Sequence, residues 1–423
     1  MPLVLTYGFC FFALISSINV RNVAFRPKLI SERLAFGNIN YCLVILTFYL
    51  FISLYICKVS AIKNFSSQYL LLSFTTLLSL ILFARHNLFL FFLIFELSII
   101  PLMILIFLYG YQPERLLAST LLLIYALIGS LPFLLAIGIL FNSYDSFSVY
   151  IISLNRINNF SPGWLLFSLI IPFLVKIPMY RVHAWLPKAH VEAPVSASIL
   201  LGAVSLKIGG LGLFYSFLII NFSSFLLCTV ISFSIVGGVI ATRICLSQND
   251  MKSLIAYRSV GHISLVLLGL GTGLSIGVFG AVLIILAHGF ICAGLFGIAN
   301  FMYSITGSRR ILVNKGLGSL RLIMIVSVAF IRFANRGNPP TLNLLREIVA
   351  LISRMSYGLL ITLCATLMSF ISFCVRIYFF LVTQHGKLNL IVKPGKASPQ
   401  SGSLLLRVRI PVYILPVYSL ILY

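Results

Sequence analysis

Ser196-Ala-Ser-Ile-Leu-Leu-Gly-Ala-Val-Ser-Leu-Lys207-Ile-Gly-Gly210 is an apolar stretch with a single lysine deep inside it. Gly202, Ser205, Gly209 and Gly212 fall on one narrow stripe of a helical projection, small enough for another helix to approach closely. Lys207 falls on roughly the opposite face, amid Leu200, Ala203, Val204, Leu211 and Phe214. It is too far from either helix end for its stem to carry the ammonium out to water. A lysine held in such surroundings can alternate between charged and neutral forms, the property a proton carrier needs.

Composition decides what kind of helix this is. The chain has 423 residues, 61% hydrophobic and 9% charged, with a mean hydropathy of +1.12. A soluble globular chain is about half apolar and a quarter charged, so this is a polytopic membrane protein. The formal charge is +23, from 30 Lys and Arg against 7 Asp and Glu. The basic residues stand singly or in pairs between apolar runs, which suits anionic lipid headgroups, cardiolipin among them, and not nucleic acid. The eight cysteines are scattered without a C-x-x-C pair, which excludes clustered iron–sulfur or zinc ligation within this chain. The apolar runs place spans near 3–20, 41–57, 68–84, 88–109, 116–141, 163–180, 194–220, 224–246, 254–272, 274–303, 317–335 and 341–382. The last is long enough for two helices, and 404–423 is a further candidate, giving roughly 13 spans. Longer connections are expected at 21–40, 142–162, 304–316 and 383–403, and the N-terminus reads as a first span.

A charge at the bilayer centre costs about 2.5–3.5 kcal/mol on insertion scales, so ionisable groups inside spans are functional candidates. Glu96 follows Phe89 to Phe95 in an almost wholly apolar run. Lys176 lies between Pro172 and Pro178, each of which removes an N–H donor, so its helix should be interrupted there. Interrupted backbone at membrane depth is tolerated only inside the protein or beside water, and ion transporters build sites from it. Glu347 follows a second Pro-broken approach, Pro339-Pro340, with Arg354 on the same helical face as a local ion-pair partner. His262 and His288 stand inside spans, and imidazole relays protons well. His183 and His190 bracket a Pro-containing segment expected at the membrane surface, near the mouth of a path.

The stretch Val175-Lys-Ile-Pro-Met-Tyr-Arg-Val-His-Ala-Trp-Leu-Pro-Lys-Ala-His-Val-Glu-Ala-Pro194 closely resembles the subunit 4 family of respiratory complex I (NADH dehydrogenase), antiporter-like membrane-arm components related to Mrp sodium/proton antiporters. Phe95-Glu-Leu, Gln112-Pro-Glu-Arg-Leu116, Leu206-Lys-Ile-Gly-Gly, Asp250-Met-Lys-Ser-Leu-Ile-Ala-Tyr257, Ala287-His-Gly and Pro339-Pro-Thr-Leu-Asn-Leu-Leu-Arg-Glu347 extend the resemblance in the family's order, over about 60–386. It implies an all-α fold of roughly 13–14 transmembrane helices with two inverted five-helix repeats and two broken helices. The implied domains are N-terminal helices over 1–60, a proton-translocating core over 61–386 and a C-terminal loop and last helix over 387–423. Residue by residue it implies a proton line of Glu96, Lys176, Lys207, His262, His288 and Glu347. The family usually has Ser where Arg258 stands and Gly where Arg346 stands; Arg332 and Arg336 add further cations. The implied protein is a multi-pass subunit of the mitochondrial inner membrane that binds no cofactor itself. NADH, FMN, iron–sulfur clusters and ubiquinone would belong to partner subunits, and its neighbours would be other membrane-arm and accessory subunits. The alternative on the same charged helices is a stand-alone cation/proton antiporter; a haem carrier would need paired facing histidines.

Overall fold

The architecture comes from a computed structural model, which describes residues 29–58, 65–154, 163–220, 224–320, 329, 342–355 and 358–387. Among them the ordered elements are helices, with isolated bridges at Asn87–Ser148 and Asp250–Arg310 in place of any sheet. The described residues begin with two helices, α1 (Leu29–Lys58) and α2 (Phe65–Phe83). α3 (Leu88–Leu97) and α4 (Ile99–Tyr109) form one span jointed at Ser98. Asn87 starts it by accepting the Phe89 and Leu90 N–H groups. The joint follows from Pro101, whose missing N–H leaves the Leu97 carbonyl without its helical donor.

α5 (Arg115–Tyr144) and the short α6 (Val149–Leu154) lead to α7 (Gly163–Lys176). A turn then separates α7 from α8 (Trp185–Glu192). Next come α9 (Val195–Leu200), a π turn at Leu201–Ser205 and α10 (Leu206–Ile219), which together make one continuous span. The second half comprises α11 (Ser224–Leu246), α12 (Met251–Gly271), α13 (Ser275–Thr306), α14 (Leu342–Met355) and α15 (Leu359–Gln384). Seven stretches among the described residues are long and apolar enough to cross a membrane.

The π-turn span is the core of the molecule. Its most apolar window is wholly buried, whereas that of α15 is only 28% buried. α7 packs on it from one side, and α13 contacts its π turn from the other. Close approach to α7 depends on glycine: a Cβ on Gly212 would sit 2.1 Å from a Phe173 ring carbon, and one on Gly209 would sit 2.9 Å from Ile177 Cγ1. The expected small-residue stripe is thus the α7-facing side of this span at Gly209 and Gly212, while Gly202 faces Cys292 of α13.

Several expectations need adjusting. The connection expected over 21–40 is helical from Leu29, and that over 142–162 contains α6. The long 341–382 run does divide into two helices, at Gly358 with φ 130°, a left-handed conformation suited to glycine. The spans expected at 3–20 and 404–423, most of 317–335, and the break before Glu347 lie outside the described residues.

Candidate functional site

Lys176 is the last residue of α7, because Pro178 cannot donate to the Leu174 carbonyl. The Met179 N–H reaches that carbonyl instead, at 3.2 Å. The Val175 carbonyl is thereby left without a helical partner, and the Trp185 indole N–H donates to it at 3.0 Å. The interruption expected from the prolines is therefore present, and a side chain of the following helix caps it. The Lys176 ammonium is buried without a hydrogen bond and rests 4.3 Å from the centre of the Phe95 ring. Glu96 Oε1 also lacks a partner. The two charges feel one another electrostatically but form no contact pair. A cavity of about 20 Å3 adjoins Lys176, lined by Phe95, Val175, Trp185 and Ser205, room for a water molecule.

The π turn explains how Lys207 is held. In an α-helix the Leu206 N–H would bond the Gly202 carbonyl, but here it reaches back to Leu201. That frees the Gly202 carbonyl, which accepts Lys207 Nζ at 2.8 Å. The same ammonium donates to His288 Nδ1 of α13 at 2.8 Å; an ammonium has donors only, so Nδ1 accepts and Nε2 carries the ring proton. Lys207 is 2% exposed. The His288 and His262 ring centres are 6.1 Å apart. Lys207, His288 and His262, from three helices, thus form one buried cluster, and Lys176, on which Glu96 acts electrostatically from a fifth helix, packs against Gly209 of the Lys207 span.

Beyond His262 the surroundings change. Arg258 Nη2 lies 3.2 Å from His262 Nε2, and Arg346 Nη2 lies 3.3 Å from its Nδ1. Guanidinium groups donate and cannot accept, whereas a neutral imidazole has one acceptor and one N–H. Only one of these contacts can be a hydrogen bond at a time. Glu347 sits 3.8 Å from Arg346 Nη2 and 3.8 Å from Arg376 Nη1 of α15. Its pairing is therefore with those two arginines, and Arg354, the local partner expected from sequence, has Nε and Nη2 without hydrogen bonds. Arg376 carried no sequence signal, because its approach to Glu347 depends on how α14 and α15 pack.

The two remaining histidines separate. His183 lies in the turn after α7, stacked on Tyr180 at 5.0 Å, and its burial holds the imidazole below its usual pKa. His190 is not at a surface mouth: α8 turns inward, and the ring is 0% exposed and stacked on Phe296 at 4.7 Å. The rim beside it is built from residues that sequence reading did not single out. Lys252 Nζ donates to the Val191 and Ala193 carbonyls at 3.3 and 2.7 Å. Arg309 Nη1 donates to Val191 O at 2.8 Å and lies 3.6 Å from Glu192 Oε1. The Tyr111 ring lies under both cations. Among the described residues no group of three His, Cys, Asp or Glu side chains is placed to hold a metal ion.

Residues 85–372 match the family described as NADH:quinone oxidoreductase/Mrp antiporter, TM. NADH-ubiquinone oxidoreductase chain 4 of Ceratitis capitata is 39% identical over 85% of this chain and 81% of its own length. The protein of that name from Albinaria caerulea is 36% identical over 90% of this chain and 86% of its own. A chain of respiratory complex I from Thermus thermophilus has the same fold, with a TM-score of 0.82 at 21% identity over 91% of this chain and 81% of that one. A chain of the Mrp complex from Dietzia sp. superposes with a TM-score of 0.81 at 15% identity, over 91% of this chain and 81% of its own.

Proposed function

The chain belongs to the NADH-ubiquinone oxidoreductase chain 4 family, and on that premise we propose that it is a core membrane subunit of NADH:ubiquinone oxidoreductase that moves protons across the membrane as electrons pass from NADH to ubiquinone. Its place is the mitochondrial inner membrane, where its neighbours are other membrane-arm and accessory subunits and anionic lipid. NADH, FMN, iron–sulfur clusters and ubiquinone are held by those partners. The translocating core is 61–386, with 1–60 and 387–423 flanking it. Relatives named as chain 4 across most of the sequence favour this reading over a stand-alone antiporter.

The observation that carries the proposal is Lys207, suspended between a carbonyl freed by the π turn and a histidine ring nitrogen. A neutral Lys207 amine gains a proton from the Lys176 side through water, and as an ammonium it passes one to His288 Nδ1 while Nε2–H is released onward. Lys176 controls the step. Gly209 of α10 rests against it, so a Cβ there would lie 3.1 Å from Lys176 Cβ. When Lys176 leaves Phe95 and pairs with Glu96, its positive charge moves relative to Lys207, and the energy of protonating Lys207 changes. From His288 the proton continues by His262 and bound water to Glu347. Co-migration tests the setting: on a native gel the chain should run with NADH-oxidising activity. Running apart from it would return the stand-alone antiporter reading.

A further inference from the structure

The Lys176 route leaves one buried imidazole unused. His190 is wholly buried, and neither ring nitrogen has a hydrogen-bond partner. Burying both nitrogens unpaired is costly for an imidazole that serves only as packing, and a phenyl ring would stack on Phe296 equally well. Its position gives those nitrogens a use. One edge of the ring abuts the π turn, where a Cβ on Gly202 would sit 3.4 Å from His190 Cε1. Gly202 is the residue whose carbonyl holds the Lys207 ammonium. On the other side, Lys252 is bonded to the carbonyls of Val191 and Ala193, which closely follow His190 in the chain. Both ammonium groups act electrostatically on the ring. Lys252 belongs to the rim cluster with Glu192, Arg309 and Tyr111, where Gln112 N–H also donates to Glu192 Oε2 at 3.2 Å.

We propose that His190 is a proton-carrying residue joining the Lys252 rim cluster to Lys207, a second branch that meets the Lys176 route at the π turn. In one passage a proton from the Lys252 ammonium adds to one ring nitrogen through water, and the N–H proton on the other nitrogen leaves toward a neutral Lys207 amine. The ring ends neutral in its other tautomer, Lys252 ends as an amine and Lys207 as an ammonium. Lys252 is then reprotonated from water at the rim. The branch deepens the proposed function and rests on Lys207 being a proton carrier.

The test uses the whole enzyme in proteoliposomes, reading protons pumped per NADH oxidised. His190→Phe keeps the stack on Phe296 and removes both nitrogens; His190→Asn keeps polarity but cannot titrate. Both should lower the ratio at least twofold in an assembled enzyme. Should neither variant assemble, Lys252→Met decides, since it leaves the ring untouched and should lower the ratio to the same extent. A full ratio in His190→Phe or His190→Asn, or in Lys252→Met, overturns the branch. Lys207→Ala run alongside separates the two ideas. A full ratio there overturns the proposed function, while loss there with full pumping in the His190 variants overturns the branch alone.

Discussion

Replacing Phe95 with leucine should release Lys176 toward Glu96. In this structure the ammonium has no hydrogen bond and lies 4.3 Å from the Phe95 ring centre, while Glu96 waits one residue on. A cation–π contact shielded from water is worth about 2 kcal/mol. Removing it shifts the balance between ring-bound and Glu96-paired lysine by roughly 30-fold. Packing changes as well, since Phe95 meets Phe91 and Phe173 with ring centres 6.3 and 6.0 Å apart, contacts of about 0.5–1.5 kcal/mol each. Phe92→Leu is the matched control: Phe92 shares the helix of Phe95 and pairs with Phe133 of α5 at 6.2 Å. NADH oxidation and proton pumping should both slow in Phe95→Leu, because the lysine is held at Glu96. They should be nearly normal in Phe92→Leu. In a Glu96→Gln background the Phe95 substitution should have little further effect, since the competing partner is gone. Equal effects of the two leucine variants, or a Phe95 effect that persists undiminished without Glu96, would refute the reasoning.

Trp185→Phe leaves the Val175 carbonyl unpaired beside Lys176, so the purified enzyme should lose about 1–3 kcal/mol of local stability, read as earlier thermal loss of pumping; an unchanged thermal profile would count against the cap. Gly212→Ala should block assembly on a native gel because its Cβ meets the Phe173 ring at 2.1 Å, whereas Gly138→Ala, with nothing within 4 Å, should assemble. Arg258, Arg346, Arg354 and Arg376 are all buried, and Glu347 lies 3.8 Å from both Arg346 and Arg376; taking each such ion out of water costs several kcal/mol. Serine at Arg258 and Arg346 should therefore stabilise the enzyme and speed pumping. Later thermal loss of pumping in that double variant checks this, and earlier loss would show that the guanidiniums hold the site together.

The helices and the buried ionisable groups of the first half of the proposed proton line were legible because their signals are local. Apolar runs with few breaks marked the spans, and Pro172 and Pro178 marked the end of α7 at Lys176. A charge amid leucines and phenylalanines identified Lys207 and Glu96 without reference to any other helix. The π turn was not legible, since no residue in Leu201–Ser205 demands it, and the bond it frees is seen only with Lys207 folded back on Gly202. The inward turn of His190, the Lys252–Arg309–Tyr111 rim and the arrival of Arg376 at Glu347 all depend on helices far apart in sequence. The break before Glu347, expected from Pro339-Pro340, lies outside the described residues.

The central claim is that Lys207 carries the translocated proton, and the most direct measurement is the number of protons pumped per NADH oxidised by an assembled Lys207→Ala enzyme. The account predicts a lower ratio, or an enzyme stalled altogether because electron transfer is tied to the blocked step. NADH oxidation with an undiminished ratio would contradict it.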